Sequence, residues 1–130
     1  MLIDQLYRAE FRVYVEDTDV MGIVYHGNYL CFFERARTEM LRENGFYLTT
    51  MSTYDTHFAI YEVQIRYVYP AKLDDVLKVT TRIEKIKACS LCFKQTMYNQ
   101  HDQLLSEATV HVVCVDKNLK PKRLSTFVGN

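Results

Sequence analysis

Asp17 and Asp19 stand one residue apart in the stretch Glu16-Asp17-Thr18-Asp19-Val20-Met21-Gly22, and His26 follows just ahead of Asn28. Carboxylates at this spacing invite comparison with a calcium loop, in which positions one, three, five and twelve supply oxygens around a glycine at position six. Asp17, Asp19 and Gly22 fall on the first, third and sixth positions, but the fifth is Met21 and the twelfth, which should be a bidentate carboxylate, is Asn28. The ligand count fails. A different chemistry is open to a carboxylate placed shortly before a helix, because the first N–H groups of a helix are unpaired and carry the positive end of its dipole. Such a carboxylate can attack an acyl carbon or activate water while those N–H groups receive the developing oxyanion, as acyl transfer requires. Acidic residues ahead of helices also serve as ordinary caps and turn formers, so spacing alone leaves both readings open. His26, beside Tyr25, has the same two sides: it could polarise a carbonyl or orient water, or simply pack and hydrogen-bond.

Other candidate chemistry is thinner. His57, His101 and His111 show no ligand spacing, and Cys89 and Cys92 form a C-x-x-C with no second pair to complete a zinc site. No metal is expected. There is no glycine-rich phosphate loop and no G-x-S-x-G elbow. Two basic clusters remain, Arg82, Lys85 and Lys87 with Ser90 close by, and Lys117, Lys120, Lys122 and Arg123. Runs of this kind are usually solvated rims, yet in a neutral protein they are where a phosphate-bearing ligand could dock.

The elements that would position these residues follow from periodicity. Tyr7, Ala9, Phe11, Val13 and Val15 alternate with Arg8, Glu10, Arg12 and Tyr14, predicting a first strand with one covered face. From Asn28 to Asn44 the period changes: Tyr29, Phe32, Phe33, Ala36 and Met40 share a helical stripe, and Glu34, Arg35, Arg37, Glu39 and Arg42 fall mostly off it. Asn28 is expected to cap this helix, Gly45 to stop it, and Arg35 and Glu39 to pair at i,i+4. Thr49 to Thr56 is expected to be a loose connection, without a second helix. Four strand-like stretches follow, Tyr61 to Tyr69, Leu77 to Ile83, Leu91 to Tyr98 and Ala108 to Cys114, with turns at Leu73 to Asp75, Asn99 to Asp102 and Lys117-Asn118. Strand, long helix, then four consecutive strands implies an α+β layer pair: an antiparallel five-stranded sheet wrapped on one face around one helix. One helix covers such a sheet incompletely, so a homo-oligomer is expected.

Composition bounds the rest. A chain of 130 residues with 48% hydrophobic and 13% aromatic residues suits one domain spanning residues 1–130 with a real core. Sixteen Lys plus Arg balance sixteen Asp plus Glu, so the summed field does not favour nucleic acid. No apolar run approaches the ~18 residues of a membrane span, Met1 to Val15 has no signal-like core, and the four cysteines read as reduced thiols, all of which point to a cytoplasmic protein. Ser125 to Asn130 gives no signal.

The segment from Arg12 through Asp19 and His26 to Tyr29, followed by Phe32-Phe33-Glu34-Arg35-Ala36-Arg37, resembles the hotdog-fold acyl-CoA thioesterases of the 4-hydroxybenzoyl-CoA thioesterase family, in particular the branch that accompanies the bacterial Tol-Pal system. Ile65 to Ala71, Asp74 to Leu77 and Val115 to Pro121 are similar to the family's later strands. The resemblance implies a hotdog fold, dimers joined through their sheets and in many members paired into tetramers, and hydrolysis of an acyl-CoA to free acid and CoA without a cofactor. It carries the catalytic aspartate onto Asp19, the oxyanion N–H onto the backbone of His26, and an assisting role onto the His26 side chain, with Tyr25 among the substrate contacts. Val20-Met21 departs from the small residues common before the glycine and is expected to reshape the acyl pocket. Another hotdog branch carries its carboxylate on the helix, which makes Glu34 the alternative. CoA phosphates are expected at Arg82, Lys85, Lys87 and Ser90. Two rival functions keep the fold and change the chemistry: a hotdog dehydratase and a non-catalytic acyl-CoA-binding module.

Overall fold

Residues 5–124 are described by a computed structural model, so Met1 to Asp4 and the tail Ser125 to Asn130 lie outside the described residues. Five strands, β1 (Tyr7–Arg12), β2 (His57–Tyr67), β3 (Val76–Ile86), β4 (Ser90–Tyr98) and β5 (Leu104–Val115), form one sheet in the order β1-β3-β4-β5-β2, with every neighbouring pair antiparallel. Consecutive strands β3, β4 and β5 pair as hairpin neighbours, whereas β1 and β2 reach the two edges by longer connections. Alternation decides the faces: Leu77, Val79, Thr81 and Ile83 on β3 and Leu91, Phe93, Gln95 and Met97 on β4 are buried on one side. Arg82, Lys94 and Thr109 stand on the other side, in cross-strand register with one another.

Helix α1 (Asn28–Glu43) lies across the inner face and buries Tyr29, Phe32, Phe33, Ala36, Met40 and Leu41 in the common core. Its C-terminus is a Schellman turn: Gly45, at φ +87°, donates to Arg42 O and Phe46 to Leu41 O. At the other end the residue preceding the helix is Gly27, not Asn28. Asn28 is the first helical residue, and its side chain reaches back to donate to Asp17 O at 3.0 Å.

Several local expectations are corrected. The first strand ends at Arg12 rather than Val15, because Val15 to Asp17 winds into a single 3-10 turn that leaves Val15 exposed. Glu39 pairs with Arg42 at 3.2 Å instead of Arg35, whose guanidinium lies 5.3 Å from the Phe32 ring centre. Arg37 is not off the helix stripe but buried on it. The connection after α1 contains a second helix, α2 (Leu48–Thr53), seated by buried Met51. Among the described residues, no helix is long and apolar enough to cross a membrane.

Candidate active site

The stretch between β1 and α1 is folded almost entirely by its own polar groups. Val13 is still part of the sheet's margin, donating to Asp75 O and accepting from Asp74 N–H. In the 3-10 turn that follows, Asp17 accepts the Tyr14 N–H on its Oδ2 at 2.9 Å. A short antiparallel bridge between Thr18 and Val24 then closes the segment on itself, one residue from Asp19 on one side and from Tyr25 on the other. Inside the bridge Asp19 N–H donates to Ile23 O and Gly22 N–H to Asp19 O, a reversal that Gly22 completes at φ +77°.

Asp19 is half-buried. Its Oδ1 accepts the Met21 N–H at 2.8 Å, while its Oδ2 accepts no hydrogen bond among the described residues. Asp17 and Asp19 each give an oxygen to a backbone N–H, and no group of three or more His, Cys, Asp or Glu side chains among the described residues is arranged to hold a metal ion.

The approach to α1 is tied down from three directions. Asp17 O accepts both the Tyr25 N–H and the Asn28 side-chain amide, Asn28 N–H donates to Tyr25 O, and the Tyr67 hydroxyl donates to His26 O at 2.8 Å. Tyr67 stands edge-on to Tyr29, ring centres 4.9 Å apart, and the Tyr29 hydroxyl accepts the Ala71 N–H at 2.9 Å. Burial pushes the Tyr29 phenol above its usual pKa, keeping that hydroxyl neutral. With its carbonyl held this way, His26 keeps a backbone N–H that has no acceptor among the described residues, at the positive end of the α1 dipole. The His26 and Tyr25 side chains are exposed, ring centres 4.3 Å apart. A carboxylate oxygen and a helix-start N–H, neither with a partner among the described residues, thus lie on the segment between β1 and α1, and they are the two kinds of group that attack on a carbonyl and stabilisation of its oxyanion call for.

The basic residues divide. Lys85, Lys87 and Ser90 line one cavity of about 560 Å³ together with Tyr61, Cys92 and His111. Arg82 lies outside it, in a groove on the outer face of the sheet with Thr80, Lys94 and Thr96. Glu34 lies on a third surface, its carboxylate accepting the Thr38 hydroxyl and lining a cavity between α1, α2 and β2. Burial, with Glu84 nearby, raises the Cys92 thiol above its usual pKa, so it stays neutral in its cavity. Cys89, read only as the partner of Cys92, in fact faces Cys114: Cys114 N–H donates to Cys89 O at 2.7 Å. Sequence reasoning also missed Tyr67 and Tyr29. The only signal was the run of tyrosines ending the second strand.

Known proteins agree with this architecture. The family model described as the thioesterase superfamily matches residues 21–106. The acyl-CoA thioester hydrolase YbgC of Escherichia coli O6:H1 is 44% identical over 120 residues, covering 92% of this chain and 90% of that protein. The acyl-CoA thioesterase YbgC of Haemophilus influenzae is 42% identical over 116 residues, covering 88% and 85%. Among solved structures, the DHNA-CoA thioesterase of Staphylococcus aureus superposes with a TM-score of 0.89 at 25% identity, covering 95% of this chain and 83% of that one. Strand order, the helix laid across the inner face, and these matches together place the chain in the thioesterase superfamily as a hotdog-fold thioester hydrolase.

Proposed function

We propose that the chain hydrolyses an acyl-CoA thioester to the free acid and CoA, with Asp19 acting on the thioester and the His26 N–H receiving its oxyanion. The observation that carries this reading is the pair of uncommitted groups, Asp19 Oδ2 and the His26 N–H, at the two ends of one bridged loop. As general base, Asp19 takes a proton from water as the oxygen adds to the carbonyl carbon. The tetrahedral oxyanion rests on the helix start; its collapse breaks the C–S bond, and the leaving thiolate takes up the proton. As nucleophile, Asp19 adds to the carbonyl carbon and the C–S bond breaks to release CoA thiolate, leaving an anhydride that water opens to the free acid and the regenerated Asp19 carboxylate, the proton released going to the thiolate. In both routes the fixed carboxylate supplies proximity, since Oδ1 is anchored by Met21 and cannot swing away freely. In this reading the His26 and Tyr25 side chains, exposed and with ring centres 4.3 Å apart, contact the incoming thioester.

Lys85, Lys87 and Ser90 share a cavity suited to the phosphates of CoA, with Arg82 on the adjoining outer face. No cofactor is required by this chemistry. The chain functions as a homo-oligomer joined through its sheets, as a dimer or a tetramer built from dimers: β2 is an 11-residue edge strand, and Ile60, Tyr61 and Tyr67 on it are exposed in the single chain. Free thiols at Cys31, Cys89, Cys92 and Cys114 suit a reducing cytoplasm.

Thiol release from a panel of acyl-CoA substrates tests the assignment. Asp19→Asn keeps the loop's hydrogen-bonding shape and removes the charge, so kcat/KM should fall by roughly 10²–10⁴-fold with the oligomer intact by light scattering. Wild-type turnover in that variant would remove Asp19 from the mechanism.

A further inference from the structure

The sheet sorts the four free cysteines. Cys31 is exposed on α1, and Cys92 stands on the outer face of the sheet, opposite His111 and lining a cavity with it. Cys114 is fully buried in the core, on the inner face. Cys89, just ahead of β4, precedes Cys92 by an odd number of residues, so along an extended chain the two turn to opposite faces and the C-x-x-C motif does not close on itself. The neighbour of Cys89 lies across the sheet instead. β4 and β5 pair Leu91 with Val112 and Ser90 with Val113, and one step further the same register sets Cys89 opposite Cys114. The Cys114 N–H makes that step itself, donating to Cys89 O at 2.7 Å. In a hydrogen-bonded antiparallel pair the side chains share a face and the Cα atoms lie about 5.5 Å apart, inside the roughly 4.4–6.8 Å that a disulfide spans. Lys122 N–H donates to Cys114 O and Leu124 N–H to Ala88 O, so the chain after β5 returns beside both cysteines and holds them in place.

Access differs between the two: Cys89 is half-buried and Cys114 is sealed. Burial raises the Cys114 thiol above its usual pKa, Lys122 pulls it back, and the nearby Cys89 adds to the rise. We propose that Cys89 and Cys114 are a redox pair, which a low-molecular-weight disulfide joins into a cross-strand disulfide and a thiol reductant reopens. Cys89 reacts first, as the accessible member. Its thiolate attacks one sulfur of the reagent, the reagent's S–S bond breaks, and the departing thiolate takes up the proton that Cys89 gave. Cys114 then gives up its proton, the charge of Lys122 favouring its thiolate, and attacks Cys89 Sγ; the second reagent thiolate leaves and takes that proton. Two protein thiols are oxidised and one external disulfide is reduced to two thiols. The cross-link forms at the base of the turn that Lys87 N–H closes on Ser90 O, and it therefore fixes the wall of the cavity that Lys87 and Ser90 line.

Incubating the intact protein with oxidised glutathione, alkylating the remaining thiols and mapping the unreduced peptides by mass spectrometry tests this. The peptide pair joined through Cys89 and Cys114 should exceed every other pairing of the four cysteines at least about tenfold, and dithiothreitol should restore both thiols. Cys114→Ser removes the second nucleophile and should leave Cys89 as a mixed disulfide with glutathione; Cys114→Ala reads the same step should the hydroxyl unsettle the core. Cys89 and Cys114 both alkylated after oxidation, a cross-link from Cys89 to Cys92 in its place, or wild-type Cys89 stalled as the mixed disulfide would each overturn the proposal. No thioester enters these measurements, so their outcome is independent of the hydrolytic assignment.

Discussion

One oxygen of Asp19 is held by the Met21 N–H and one side of the His26 peptide by Tyr67, while the other oxygen and the His26 N–H have no partner among the described residues. In the proposed mechanism each reacting group is thus anchored through the half that does no chemistry. Tyr67 is a positioning residue in this scheme, since its hydroxyl fixes the His26 carbonyl and with it the direction of the N–H. Tyr67→Phe keeps the ring against Tyr29 and deletes that bond. We expect kcat to fall about tenfold with KM little changed, consistent with ~1–1.5 kcal/mol lost from oxyanion alignment; a variant whose loss lies wholly in KM would assign Tyr67 to substrate binding instead. Asp19 and His26 could be proposed from the sequence because they stand just ahead of a helix whose stripe begins at Tyr29. Tyr67 could not, because 41 residues separate it from His26 and only the paired sheet brings the two together. Arg37 was misread for a different reason: its charge suggests solvent, while its spacing from Phe33 and Met40 puts it on the buried stripe, and position prevailed over polarity.

At the scale of elements, the strands and α1 were visible because alternation and helical stripes are strong over long segments. Helix α2 was hidden by its composition: Leu48-Thr49-Thr50-Met51-Ser52-Thr53 is rich in residues that compete with helical hydrogen bonds or lose rotamer freedom. Tertiary contacts hold it. Met51 is buried, and the Lys122 ammonium donates to Tyr54 O, Asp55 O and Thr56 Oγ1 just past its end. The stop of α1, by contrast, is written in one residue. Gly45 stands at φ +87° with open space where a Cβ would go, so an alanine there is strained by backbone conformation and not by a clash. Gly45→Ala should cost about 1 kcal/mol and lower the melting temperature by roughly 3–5 °C. Thermal unfolding followed by circular dichroism measures it, and an unchanged midpoint would show that the turn relaxes without penalty.

For the whole molecule, sheet order was not readable from the strands themselves, because alternation identifies a covered face but not the neighbour across it. The sheet places β2 at an edge with Ile60 half-exposed and Tyr61 more so, the rim through which the proposed association between copies would run. A charge on that rim opposes it: Ile60→Lys should weaken self-association at least tenfold, seen by sedimentation or light scattering across a dilution series. Unaltered mass at every dilution would move the contact away from β2. The same topology also sets an order of events during synthesis. β2 ends at Tyr67, and β5, which supplies its hydrogen bonds, begins at Leu104. At roughly 5–20 residues per second a ribosome needs several seconds to deliver that partner. Until then the nascent β2 is an unsatisfied template of 11 residues, longer than β1, which likewise waits for a later strand, and it is a stretch of the growing polypeptide that a chaperone would shield.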